Sequence, residues 1–130
     1  ILTHLLELDP LPFPEHSFDL ILCNPPYIPS SALAHLPKSV ALWEDHRALD
    51  GLNAQGTSFF HRLFSILDTL IDKKRSVERC LPIAVFEMDG DAQQPFIESL
   101  FKACHFSDWN IHFYRDSGGK TRTFSIEWKQ

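Results

Sequence analysis

Hydrophobic residues in this chain fall into blocks whose internal spacing changes from one block to the next. Phe60, Leu63, Phe64, Leu67, Leu70 and Ile71 recur every three or four positions, with Arg62, Ser65, Asp68 and Thr69 between them. That spacing predicts an amphipathic helix over 57–71, and Thr57 or Ser58 stands where a hydroxyl can cap its first turn. A second helix is predicted over 93–104, where Pro95 suits the first turn and Phe96, Ile97, Leu100, Phe101 and Cys104 share one face. By contrast, "FDLILC" (18–23) and "LPIAVFE" (81–87) are short unbroken apolar runs beside turn residues. They read as strands covered on both faces, as in a parallel sheet, with Pro82 tolerable only at the start of its strand. "WNIHFYR" (109–115) and "TRTFSIEW" (121–128) alternate around "DSGGK", the pattern of an antiparallel hairpin. In the second of these, Phe124, Ile126 and Trp128 face one way and Thr123, Ser125 and Glu127 the other.

The segments between these blocks are punctuated differently. "DPLPFPEHS" (9–17) carries three prolines and reads as a loop. Residues 24–56 are rich in Pro, Ser, Ala and Gly, with a short helix at most near 31–36. A connection of that length in a compact domain usually carries function. "DKKRSVER" (72–79) reads as a solvated basic loop. "ILTHLLEL" (1–8) is apolar and too short to assign. The order is strand, long loop, helix, strand, helix, strand, strand. With right-handed crossovers it predicts one α/β domain whose first strands are parallel and whose last pair is antiparallel. The chain opens at Ile1 on residues of interior character, so it is expected to begin partway through a domain.

Composition narrows the function classes. A hydrophobic fraction of 44% with 22% charged residues is that of a globular protein in water, and no apolar run approaches a membrane span, so no membrane partner is expected. The formal net charge of −5 argues against a phosphate backbone as the main partner. Cys23, Cys80 and Cys104 form no C-x-x-C, and the seven histidines form no ligand spacing. Disulfides and a metal are therefore not expected, and a reducing intracellular compartment is the default.

The candidate chemistry sits where the first strand stops, at Asn24-Pro25-Pro26-Tyr27. In open α/β sheets ligands lie beyond the carboxyl ends of the strands. Asn24 offers an amide acceptor and donor there. Two prolines lack N–H groups and fix φ, so the turn is stiff and the Pro25 carbonyl is free to accept from a ligand N–H. Tyr27 can lay a ring against a flat π-system. Together these parts suit a planar –C–NH₂ group: two acceptors for its hydrogens and one aromatic face for its plane. Such a holder can favour the electron distribution in which a poorly nucleophilic amide nitrogen attacks. A purely stacking Tyr27 predicts a mild Tyr27→Phe.

N-P-P-Y after a buried strand resembles the signature of S-adenosylmethionine-dependent amino-methyltransferases. "NPPYIPSSALAHL", "WEDHRALDG" (43–51) and "GTSFFHRLF" (56–64), with Asp116, Gly119 and Arg122 in the closing hairpin, resemble the HemK/PrmC family, which methylates the glutamine of the Gly-Gly-Gln motif in peptide-chain release factors. The likeness runs from about residue 18 to the C-terminus. It implies the C-terminal portion of a Rossmann-like class I methyltransferase sheet ending in an antiparallel hairpin. Residues 1–130 would be a single partial methyltransferase domain, without the first strands and the glycine-rich cofactor loop. It also implies that Asn24, Pro25, Pro26 and Tyr27 hold the glutamine amide and that Asn24 lies beside the methyl sulfonium of S-adenosyl-L-methionine. Glu44, Ala48, Leu49, Asp50 and Gly51 would shape the loop near the peptide. Asp116, Gly119 and Arg122 read as a turn with a flanking charge pair. The chain departs from the family pattern at Thr3-His4, where a Gly-Asp is usual, and at Glu87-Met88-Asp89, where Gly90 comes one place late. The partner implied is a release factor, in the cytoplasm or a mitochondrion. Two alternatives remain: a nucleic-acid amino-methyltransferase (adenine N6 or guanine N2) with the same holder, and a non-catalytic binding module that takes no cofactor.

Overall fold

The computed structural model describes residues 9–129. The expectations for residues 1–8, Thr3-His4 among them, lie outside the described residues. Four strands form one mixed sheet: β1 (Ile21–Cys23), β2 (Ala84–Glu87), β3 (Trp109–Arg115) and β4 (Thr121–Trp128), in the spatial order β1-β2-β4-β3. β1 and β2 are parallel, with Ile21 opposite Ala84 and Cys23 opposite Phe86. β4 runs antiparallel to both β2 and β3, with a register shift at Tyr114/Arg115. The α-helices among the described residues are α1 (Lys38–Ala41), α2 (Ser58–Leu70), α3 (Lys73–Glu78) and α4 (Gln94–Ala103). The fold class is α/β, with the parallel start and the antiparallel hairpin that the element order predicts.

One layer of helix covers one face of the sheet. Phe60 and Phe64 of α2, Phe86 of β2 and Phe124 of β4 are all at most 1% exposed and share edge and stacked contacts, with Phe86 and Phe124 stacked at 4.9 Å between ring centroids. Each such ring contributes roughly 1.5–3 kcal/mol by leaving water, so this cluster anchors the sheet to α2. Phe64 also meets Phe101 of α4 edge-on, which puts both long helices on the same side.

Several expectations need correction. β1 is not covered on both faces: Ile21 and Cys23 pack toward the core, but Leu22 between them is 71% exposed. The period of two turns Leu22 to the other face, and β1 is the sheet's edge among the described residues. Residues 72–79 are not a loop. Asp72 accepts the Arg75 N–H at 3.0 Å and caps α3, while Arg75 and Arg79 pair with Asp19, so the charge run folds as a short helix with its charges matched. Thr57 stands at the N-cap of α2 without capping it; its hydroxyl oxygen accepts instead from the Asn53 side chain at 3.1 Å. Phe96 is 47% exposed, because Ile97 and Phe101 set the buried face of α4 and Phe96 lies one step of rotation away. The loop 24–56 holds more than one short helix: a 3-10 turn at Ser30–His35, then α1, then a second 3-10 turn at His46–Ala48.

Candidate active site

β1 ends at Cys23 and the chain leaves the sheet through Asn24, level with the carboxyl end of β2 at Glu87. Pro25 and Pro26 are buried, whereas Asn24 is exposed. Proline rings cost no hydrogen bond when they leave water, so the diproline can serve as the packed base of the turn while the amide ahead of it stays out. Among the described residues no donor reaches the carbonyls of Asn24, Pro25 or Pro26, and the Asn24 side chain makes no hydrogen bond. Asn24 stands on the rim between two hollows. The one against α2 is apolar, lined by Phe13, Phe18, Ile21, Leu63 and Ile66 with Asn24 as its one amide. The other lies over the strand ends and is bounded by Asn24, Phe86, Glu87, Arg122 and Thr123.

Tyr27 is half-buried against the core and fixed at both ends. Its hydroxyl donates to Glu87 Oε1 at 2.8 Å. Its carbonyl accepts from Gln93 Nε2 at 3.0 Å. Burial and, after it, the bond to Glu87 push the phenol up to about 12, so it stays neutral across the physiological range. Burial likewise pushes the Cys23 thiol up to about 11, which leaves it a poor nucleophile.

The long loop folds back on this turn. The Ile28 N–H donates to the Leu49 carbonyl and the Gly51 N–H to the Ile28 carbonyl, both at 2.9 Å, as a parallel bridge between Ile28 and Asp50. The Ser30 hydroxyl donates to Asp50 Oδ1 at 2.6 Å, and Asp50 also takes the Leu52 N–H. The Ala-Leu-Asp-Gly segment therefore braces the residues just after the motif. Gly56 then passes so close that a Cβ there would lie 2.0 Å from the Tyr27 carbonyl oxygen, and its φ is +67°. Gly51 is excluded from carrying a side chain too, since its Cβ would lie 2.4 Å from the Gly56 Cα. Glu44 is exposed, and Ala48 is exposed within its 3-10 turn. Asp116 and Arg122 pair at 3.5 Å across the β3–β4 turn, in which Gly119 has φ +78°.

Sequence reasoning passed over two residues of this site. Glu87 ends a predicted strand and belongs to the Glu87-Met88-Asp89 departure, but neither feature points to its contact with Tyr27, 60 positions away. Gln93 opens a predicted helix, yet the residue is 4% exposed and its side chain reaches 66 positions back to Tyr27. No periodicity marks such an amide; only its partners reveal it.

Comparison with known proteins gives two matches to short stretches. A 41-residue stretch, 32% of the chain, is 51% identical to a release factor glutamine methyltransferase of Gloeobacter violaceus. A 34-residue stretch, 26% of the chain, is 59% identical to a release factor glutamine methyltransferase of Rhodospirillum rubrum. These stretches span 14% and 10% of the two relatives' own lengths. No family model matches the chain, and no solved structure matches it.

Proposed function

We propose that this chain carries the acceptor site of an S-adenosylmethionine-dependent N-methyltransferase whose substrate is the side-chain amide of a release-factor glutamine. The observation that carries the reading is the exposed, unpartnered Asn24 amide at the carboxyl end of a parallel strand, directly ahead of a buried diproline. The short matches to release factor glutamine methyltransferases support the substrate class. The strand order β1-β2-β4-β3 with its antiparallel closing hairpin is compatible with the C-terminal part of a methyltransferase sheet, so residues 1–130 are read as a partial domain.

The chemistry follows from the groups at hand. A glutamine –CO–NH₂ arriving at the strand end presents two N–H donors. The Asn24 side-chain oxygen and the Pro25 carbonyl are acceptors on one stiff turn, and both lack other partners among the described residues. Bonding both hydrogens to acceptors raises electron density at nitrogen and fixes its plane, which favours the transition state in which that nitrogen forms a new bond. The turn also holds the nitrogen in one orientation, which removes much of the entropic barrier. Tyr27, fixed by Glu87 and Gln93, supplies the wall. The net change is one N–H replaced by N–CH₃, with the proton released to solvent.

S-adenosylmethionine supplies the electrophilic methyl group when bound. Of the described residues, Asn24 and the apolar hollow it edges suit the methyl-bearing end, where a partnerless amide oxygen can face a sulfonium beside a wall of low polarity. A glycine-rich turn for the methionine end is not found at this strand end among the described residues, and the carboxylate that is there, Glu87, accepts from the Tyr27 hydroxyl. Only the methyl-bearing end is assigned to this stretch of chain.

The test is methyl transfer by the full-length polypeptide, using S-adenosylmethionine carrying a labelled methyl group. A purified release factor, duplex DNA and RNA are offered separately, and the labelled residue is mapped by mass spectrometry. Label on the release factor's glutamine is expected. Label on nucleic acid alone would overturn the substrate class and favour a base-flipping enzyme with the same holder. No transfer to any of the three would favour a non-catalytic module.

A further inference from the structure

Gln93 is a side-chain amide with both its oxygen and its nitrogen hydrogen-bonded inside the molecule. It stands at the N-cap of α4 and is 4% exposed. Its Oε1 accepts the Asp89 N–H at 3.0 Å. The two hydrogens of its Nε2 are shared among three carbonyls: Tyr27 at 3.0 Å, Gln55 at 2.8 Å and Gly56 at 3.2 Å. A buried amide must find partners, but nearby backbone at the start of its own helix could have supplied them. These partners instead come from the motif turn, the glycine turn before α2, and the exit from β2. None of the three carbonyls lies in a strand, so no ladder bond fixes their directions.

The consequence for the turn is specific. Pro25 and Pro26 have φ fixed by their rings, which concentrates the remaining torsional freedom of the motif at Asn24 and Tyr27. The bond from Gln93 fixes the peptide plane following Tyr27, and the bond to Glu87 fixes the far end of its ring. With Tyr27 held in both ways, the stiff diproline carries that placement back to the Pro25 carbonyl and Asn24. We propose that Gln93 is a positioning residue. It acts through Tyr27 to hold Asn24 and the Pro25 carbonyl at the spacing of an amide –NH₂, and so tunes turnover without touching substrate. This rests on the acceptor-site reading above, and it adds a residue of α4 to that site.

Three variants of the full-length polypeptide test it. Gln93→Met keeps the length and removes every hydrogen bond. Gln93→Asn keeps the amide one methylene too short, and serves where Gln93→Met does not fold. Ile97→Val, fully buried one turn along the same helix, is the control for destabilisation that leaves the hydrogen bonds to the motif in place. Release-factor methylation is measured at a temperature where circular dichroism shows all variants folded. Side-chain amide and ring resonances of Asn24 and Tyr27 are recorded in parallel by NMR.

The expected result is a kcat lowered about 10- to 100-fold in the Gln93 variants, with KM for S-adenosylmethionine within about twofold of wild type. The Asn24 and Tyr27 resonances are expected to shift in those variants. Ile97→Val is expected to leave kcat and both resonances in place. If wild type is active and either the kcat loss or the resonance shift is missing, the positioning role is overturned. If wild type transfers no methyl group to the release factor, it is the acceptor reading that fails. The resonances then decide alone: unmoved signals overturn the role of Gln93 in setting the turn, and shifted ones uphold it.

Discussion

Tyr27 shows how a residue chosen from sequence for its ring turns out to depend equally on its polar ends. A role limited to stacking predicts a mild Tyr27→Phe, but the hydroxyl donates to a carboxylate at a half-buried position. Hydrogen bonds to charged groups are among the stronger ones, so Tyr27→Phe is expected to lower unfolding free energy by about 1–2 kcal/mol, read from urea midpoints at pH 7. The ionisation of Tyr27 adds a second signature. In the folded protein its phenol is pushed up to about 12, against about 10 for an unfolded tyrosine. Between these values the unfolded chain has released the proton and the folded one retains it. Stability from this group is thus complete below pH 10 and is lost as pH rises toward 12. Midpoints measured between pH 9 and 12 are expected to fall more steeply in wild type than in Tyr27→Phe. Equal slopes would mean that the phenol is not held as described.

The long loop and its glycines govern the next level of structure. Gly56→Ala would drive a methyl group into the Tyr27 carbonyl at a positive φ. It is expected to cost about 3 kcal/mol, seen as a lowered melting temperature. A neutral Gly56→Ala would show that the loop packs elsewhere. Much of this architecture was legible beforehand. The bounds of β3 and β4 follow from simple alternation around a glycine turn, and α2 follows from its 3.6-residue apolar repeat. α3 was hidden because a run of six charged residues among eight looks solvated. What makes it a helix is a cap at Asp72 and a partner at Asp19, 56 and 60 positions before Arg75 and Arg79. The turn at Asn24-Pro25-Pro26-Tyr27 was legible as the point where the first strand stops. Its supports were not, since Glu87 and Gln93 lie far along the chain and carry no pattern of their own.

Among the described residues, α2 and α4 cover one face of the sheet, and β1 lies at its outer edge with Leu22 turned outward. An unpaired apolar edge invites pairing with another chain. The 130-residue chain is therefore expected to associate reversibly with rising concentration in sedimentation velocity, and Leu22→Lys to reduce that association without changing the circular dichroism spectrum. Association unchanged by Leu22→Lys would place the contact away from β1. The two polar supports, Glu87 and Gln93, enter from β2 and the start of α4, so the turn after β1 draws on three elements of the fold at once. Its proposed role as an amide holder is tested most directly by steady-state methylation of a release factor by the full-length polypeptide, wild type against Asn24→Ala. Loss of one preorganised partner is expected to raise the barrier by about 2–4 kcal/mol, a fall in kcat of roughly 30- to 1,000-fold with the fold intact. Turnover of Asn24→Ala close to wild type would contradict the holder.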